Sequence, residues 1–171
     1  MKKYYYLLLF AMVVSAMAQA QTGWVTQKLD NKLSVKFPAE PQKTAVNGME
    51  NYTSKTKDSV VYTAAVADLE VLAQLDSAML APMIDKPQFA EGIKKGIASK
   101  RPNYTFGDVT IGKWKTYTCY TVSGTENTNK TKALAKIILI GSKMYTLICQ
   151  VPSKLATADS EVFFGSADLV R

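Results

Sequence analysis

Between Asp68 and Lys100 the apolar–polar alternation that runs through the rest of the chain stops. Leu69, Leu72, Leu75, Met79 and Leu80 instead fall at spacings of three and four, the stripe of an amphipathic helix that Asp68 is placed to cap. Pro82 ends or kinks that helix. Asp85 and Gln88 form a plausible capping box, with Pro87 in the first turn. Phe89, Ile93 and Ile97 then repeat every four residues along a second helix that Pro102 stops. The order of strands, then helices, then strands predicts an α+β fold with a central, mainly antiparallel β-sheet flanked by helices. An up-and-down barrel would need strands where this block reads as helix.

On the N-terminal side, Trp24–Leu29 is a short lead-in. Leu33–Phe37 alternates as a half-buried strand does. Asn47-Gly48 is a hairpin dipeptide joining Gln42–Val46 to Glu50–Thr56, and Ser59–Ala67 reads as an interior strand. On the C-terminal side, Tyr104–Ile111 leads to a turn at Gly112, and Trp114–Val122 has the Thr, Tyr, Cys and Val content of a strand. Ser123–Lys132 reads as a polar loop. Ile137-Ile138-Leu139-Ile140 is apolar enough for a strand covered on both faces. Gly141-Ser142 turns the chain into Lys143–Val151, and a last helix is expected over Leu155–Phe164, presenting Leu155, Val162 and Phe163.

The first twenty residues read as a cleaved signal peptide. Lys2 and Lys3 precede an uncharged, mostly apolar run from Tyr4 to Ala16, shorter than the roughly 20 residues a membrane-spanning helix needs. Ala18-Gln19-Ala20 puts small residues at −3 and −1, so cleavage before Gln21 is expected. What remains, residues 21–171, reads as one soluble domain that is periplasmic or extracellular. Of 21 Lys and Arg, loss of Lys2 and Lys3 leaves 19 against 14 Asp and Glu, a net charge of +5. The lysines are scattered, which suits solubility rather than a nucleic-acid surface. The densest group, Lys94, Lys95, Lys100 and Arg101, sits where a helix C-terminus favours positive charge.

The chain contains no histidine. That excludes Ser-His-Asp and Cys-His catalysis and the commonest zinc ligand. No phosphate-binding glycine loop is present, and no cofactor or metal site is implied. Cys119 and Cys149 lie on strands flanking a common strand, about 9–10 Å apart, beyond the roughly 7 Å reach of a disulfide. They read as buried thiols. Cys119 as a nucleophile would need a cation such as Lys115 or Lys136 to lower its pKa. Asp68 with Glu70 reads either as a carboxylate pair for acid–base work or calcium, or as helix-capping charge. Asp159 and Glu161 read as a solvated helix face. Trp114, Tyr117 and Tyr120 are the candidate ligand surface, weighed against ordinary packing of aromatic residues in a sheet.

Three segments together resemble one family. Leu33-Ser34-Val35-Lys36-Phe37-Pro38-Ala39-Glu40-Pro41 is similar to the opening of PsbP-like and Mog-type domains. Ala135–Leu147, with Gly141-Ser142-Lys143-Met144-Tyr145 at its centre, resembles their apolar hairpin. Ser160–Ala167 resembles their closing helix. Ser142 replaces the usual Asn, and Ala167 the usual Phe. The resemblance implies an α/β/α sandwich and a mostly non-enzymatic role: photosystem accessory proteins, a transport factor that binds a small GTPase, and effector chaperones belong to it. No binding residue carries over. Asp58-Ser59-Val60 and Asp76-Ser77-Ala78 are similar to an O-glycosylation pattern of exported Bacteroidetes proteins.

Three functions are therefore carried forward. The first is an exported, non-catalytic binding or accessory domain for an unknown protein or envelope component, monomeric or weakly self-associating. It would work through an exposed sheet face or edge, or the Ser123–Lys132 loop. The second is a carrier of a small apolar ligand between sheet and helices. The third is a carboxylate-based hydrolase.

Overall fold

A computed structural model describes residues 23–46, 48–155 and 159–171. The expected signal segment, with Ala18, Ala20 and Gln21, lies outside the described residues, as does Asn47 of the hairpin dipeptide.

Two antiparallel sheets organise the chain. The smaller consists of β1 (Val25–Lys28), β2 (Leu33–Phe37) and β11 (Asp168–Leu169), in the order β1-β2-β11. The larger contains β3 (Gln42–Val46), β4 (Met49–Lys55), β5 (Val61–Asp68), β6 (Tyr104–Phe106), β7 (Thr110–Trp114), β8 (Tyr117–Glu126), β9 (Lys132–Ile140) and β10 (Lys143–Val151). Its order is β3-β4-β5-β10-β9-β8-β6, with β7 also pairing with β8. The helices are α1 (Leu69–Ala73), α2 (Ser77–Leu80), α3 (Pro87–Lys100) and α4 (Asp159–Gly165). This is the α+β architecture with an antiparallel sheet that the order of segments implies.

Strand β9 is central to the larger sheet, and its apolar run serves both faces. Ile137 and Leu139 join a cluster with Tyr120 and Val122 beneath Phe89, Ile93 and Ile97 of α3. Ile138 and Ile140 point the other way, into a cluster with Phe37, Tyr62, Tyr145 and Phe163. That second face is covered by α4 together with the small sheet. The small sheet is an addition to the expected layers: both ends of the described chain meet in it, at β1 and β11. Gly141, at φ 65°, turns β9 into β10 in the left-handed region where glycine carries no steric penalty.

Several local expectations are corrected. The stripe from Leu69 to Leu80 is two short helices. Gln74 adopts φ 56°, and the amides of Gln74 and Leu75 bond back to the carbonyls of Glu70 and Leu69, a Schellman closure made without glycine. Asp76 then caps α2 through the Met79 amide at 2.8 Å. The break leaves Leu72 and Met79 42% and 51% exposed, whereas Leu80 is buried. The capping box at Asp85 is also absent. Lys86 is the N-cap of α3, without a side-chain bond, because the Asp85 carboxylate is taken by Lys113 Nζ (3.1 Å) and Thr118 Oγ1 (2.9 Å). Gly112 is mid-strand in β7, and the turn falls at Lys115, φ 54°. The polar loop is shorter than Ser123–Lys132, since β8 runs to Glu126 and β9 starts at Lys132. Thr125 pairs with Lys132 across the ladder, so half of that polar stretch is strand. The last helix is described from Asp159; its buried side chains are Phe163 and Phe164, while Leu155 and Val162 are exposed.

Candidate functional site

The face of the larger sheet beneath α3 is only partly covered. Phe89, Ile93 and Ile97 seat α3 against the β8–β9 side of the sheet. On β5, alternation sends Tyr62, Ala64 and Val66 into the core on the far side and leaves Thr63, Ala65 and Ala67 on the α3 side. The register sets Ala67 beside Met49 and Met144, Ala65 beside Asn51 and Thr146, and Thr63 beside Ile148. The helix turns Gly92 and Gly96 towards the same space. With small side chains on both floor and wall, the layer is left unfilled, and a cleft of about 670 Å³ results. Ligand pockets typically span about 300–1,000 Å³.

The lining is mainly apolar, with Leu69 and Leu75 adding to the wall. Asn51, Thr63, Thr146 and Gln88 supply neutral polar groups, and its charged residues are Lys100 and Arg101. No acidic residue lines it. Lys100 Nζ lies 3.8 Å from Met49 Sδ, and the Arg101 guanidinium sits 5.8 Å from the Tyr104 ring centre.

The residues singled out from sequence fall elsewhere. Trp114 and Tyr117 stack at 6.2 Å, with Lys115 over the indole, and both pack against the cluster that faces the small sheet. Tyr120 is on the opposite face, fully buried, its hydroxyl donating to the Ile84 carbonyl. Three residues along a strand reverse the face, so the trio is divided by the sheet. Asp68 accepts from the Glu70 amide (3.1 Å) and from Ser142 Oγ (3.3 Å). Among the described residues no group of three or more Cys, Asp or Glu is placed to hold a metal ion. The carboxylates whose pKa departs from the ordinary range, Asp30, Glu50, Asp85 and Asp168, are all held low. An acid catalyst needs the reverse.

Cys119 and Cys149 are buried free thiols on β8 and β10, either side of β9. Burial pushes Cys119 up despite the opposing pull of Lys136, and burial followed by the Asp159 charge pushes Cys149 up to about 12. The thiolate is the reactive form. The folded protein at pH 8 is therefore expected to give almost no reaction with a thiol reagent, and two thiols per chain once denatured. Rapid labelling of the native state would contradict this placement.

The sequence did not point to Gly92, Gly96, Lys100 or Arg101 as a site. The available signal was the pair of glycines four apart inside a helical pattern, each of which costs stability and asks for a reason.

No protein-family model and no curated protein matches this sequence. Solved structures do. The solution structure of cyanobacterial PsbP (CyanoP) from Synechocystis sp. PCC 6803 superposes with a TM-score of 0.54 at 11% identity, covering 86% of this chain and 95% of that one. The fold is PsbP-like. A crystal structure of a protein from Bacteroides thetaiotaomicron VPI-5482 aligns at 8% identity and a TM-score of 0.42, covering 81% of this chain and 45% of that one. At 11% identity the likeness to the cyanobacterial protein concerns the backbone, and the cleft is a matter of this chain's own side chains.

Proposed function

We propose that the chain is an exported, non-catalytic binding protein that carries a small, mainly apolar ligand in the cleft between α3 and the sheet. The observation that carries this reading is the cleft itself: about 670 Å³, apolar on floor and wall, with a few neutral polar groups. That is the usual constitution of a small-molecule site. The absence of histidine from the sequence and of acidic residues from the lining favours binding over chemistry. Export rests on Lys2, Lys3, the Tyr4–Ala16 run and Ala18-Gln19-Ala20. Among the described residues no helix is long and apolar enough to cross a membrane.

The test uses N-phenyl-1-naphthylamine, a neutral apolar dye that fluoresces when removed from water. Saturable binding of one dye per chain is expected, with Ile93→Trp, which places bulk in the cleft, lowering the affinity. A dye signal that never saturates, or that Ile93→Trp leaves unchanged, would overturn the reading. A second reading, an accessory domain docked on an envelope protein, is favoured by the exposed Val46, Val71, Leu72 and Met79. It predicts that serine at Val71 and Leu72 abolishes partner binding without altering dye binding.

A further inference from the structure

The two glycines of α3 limit what the cleft accepts. A glycine inside a helix is destabilising relative to alanine and is usually explained by a positive φ or by a close neighbour. Neither explanation applies here. Both positions are helical, and a Cβ built on Gly92 or on Gly96 would meet no atom within 4 Å. Four residues apart, they lie one above the other on the helix face that lines the cleft. Both glycines are exposed, so the effect is an open channel along α3, opposite Ala65, Ala67 and Thr63. From Gln88 to Arg101 the lining follows the helix for roughly 20 Å, at the α-helical rise per residue. A mainly apolar space of that length accommodates an extended chain.

Charge restricts the head of that chain. Ion pairs among the described residues engage Lys43, Lys94, Lys113, Lys115 and Lys143. Lys100 and Arg101 belong to none of them, and they are the charged residues of the cleft. Their position at the end of α3 suits the helix dipole. That accounts for positive charge there but not for the two glycines or the unfilled volume.

Building on the carrier reading above, we propose that the ligand is a single-chain amphiphile with an anionic head: its acyl chain lies along α3 over Gly92 and Gly96, and its head pairs with Lys100 and Arg101. A fatty-acid carboxylate and a lysophospholipid phosphate share this chemistry.

The test is displacement of N-phenyl-1-naphthylamine from the full chain by palmitate, palmitoyl lysophosphatidate, hexadecanol and hexadecyltrimethylammonium. At least one of the anionic compounds is expected to compete about tenfold or more better than the alcohol, the scale of a charge-assisted hydrogen bond, and the cation least well. Whichever anion is preferred identifies the source of the head. Lys100→Gln with Arg101→Gln is expected to bring anion and alcohol within about twofold of each other while dye affinity is retained, as removal of a charge-assisted bond requires. Gly92→Leu and Gly96→Leu are expected to weaken dye and anion together by about tenfold while the melting temperature holds or rises, because leucine favours a helix and has open space to occupy. Equal competition by anion, alcohol and cation would overturn the proposal, as would an anion preference that survives both charge removals. Dye binding that no anion displaces would overturn the ligand class and leave the carrier reading standing. Absence of dye binding would remove the carrier reading itself.

Discussion

Asp30→Ala is expected to destabilise the fold by about 3–4 kcal/mol, lowering the melting temperature by roughly 10 °C for a chain of this size. Asp30 sits in the β1–β2 connection, and its side chain is only 15% exposed. Its Oδ2 accepts from Tyr145 Oη at 2.6 Å and from Lys143 Nζ at 2.9 Å, both on β10. Its Oδ1 accepts from the amides of Lys32 (2.8 Å) and Leu33 (3.1 Å). One carboxylate therefore shapes the turn and fastens the small sheet to the larger one. Alanine would leave a phenol, an ammonium and two amides short of an acceptor, and an orphaned buried polar group costs more than an intact bond contributes.

The same group makes stability depend on pH. Burial acts to raise the Asp30 pKa, but the hydrogen bonds from Tyr145, Lys32, Lys143 and Leu33 together outweigh it and hold the carboxyl below its usual range. A pKa lowered by folding contributes stability that is fully present above the unfolded value, about 3.9, and is lost as pH falls through the lower folded value. Urea titrations of the wild type and of Asp30→Ala are therefore expected to differ most near pH 7 and to converge in strong acid. A gap that stays constant with pH would show that the carboxylate charge is not what fastens the two sheets.

Phe163→Ala is expected to cost about 4 kcal/mol, within the range for truncating a buried aromatic residue. Phe163 is wholly buried on α4, with ring centres 5.4 Å from Phe37 on β2 and 5.2 Å from Tyr62 on β5. It thus joins helix, small sheet and large sheet at one point. The cavity would be walled by two sheets and closed by Phe164, 5.4 Å away, a setting with little freedom to collapse. Neighbouring Val162 is 46% exposed, and its alanine variant is expected to change stability by less than about 0.5 kcal/mol. Denaturant unfolding of the pair checks both figures. Similar losses from the two variants would show that α4 does not pack as described.

The limits of the sequence are clearest where two elements must be known at once. The break between α1 and α2 has no local sequence mark, because its signal, a left-handed residue closing a helix, is carried by Gln74 rather than glycine. Asp85 looked like a cap because its neighbours in sequence allowed one. Its partners, Lys113 and Thr118, come from strands nearly thirty residues away or more. The division of Trp114 and Tyr117 from Tyr120, by contrast, was legible by counting along a strand. The paired glycines of α3 are legible too, but nothing local shows that their exposed helix face borders a cleft.

By itself the sequence determined the antiparallel α+β class, the two-faced run of β9, the hairpin at Gly141-Ser142, the apolar face of α3 and the separation of the two thiols by one strand. Those features follow from periodicity and turn chemistry, which act between residues a few positions apart. Only the tertiary structure decided that β1, β2 and β11 form a second sheet, that Asp30 fastens it to the first, and that a cleft lies under α3. A cavity is defined by what distant segments fail to fill. Thr63, Ala65, Ala67, Gly92 and Gly96 are unexceptional along the chain, and they make room for a ligand only because the fold sets them face to face.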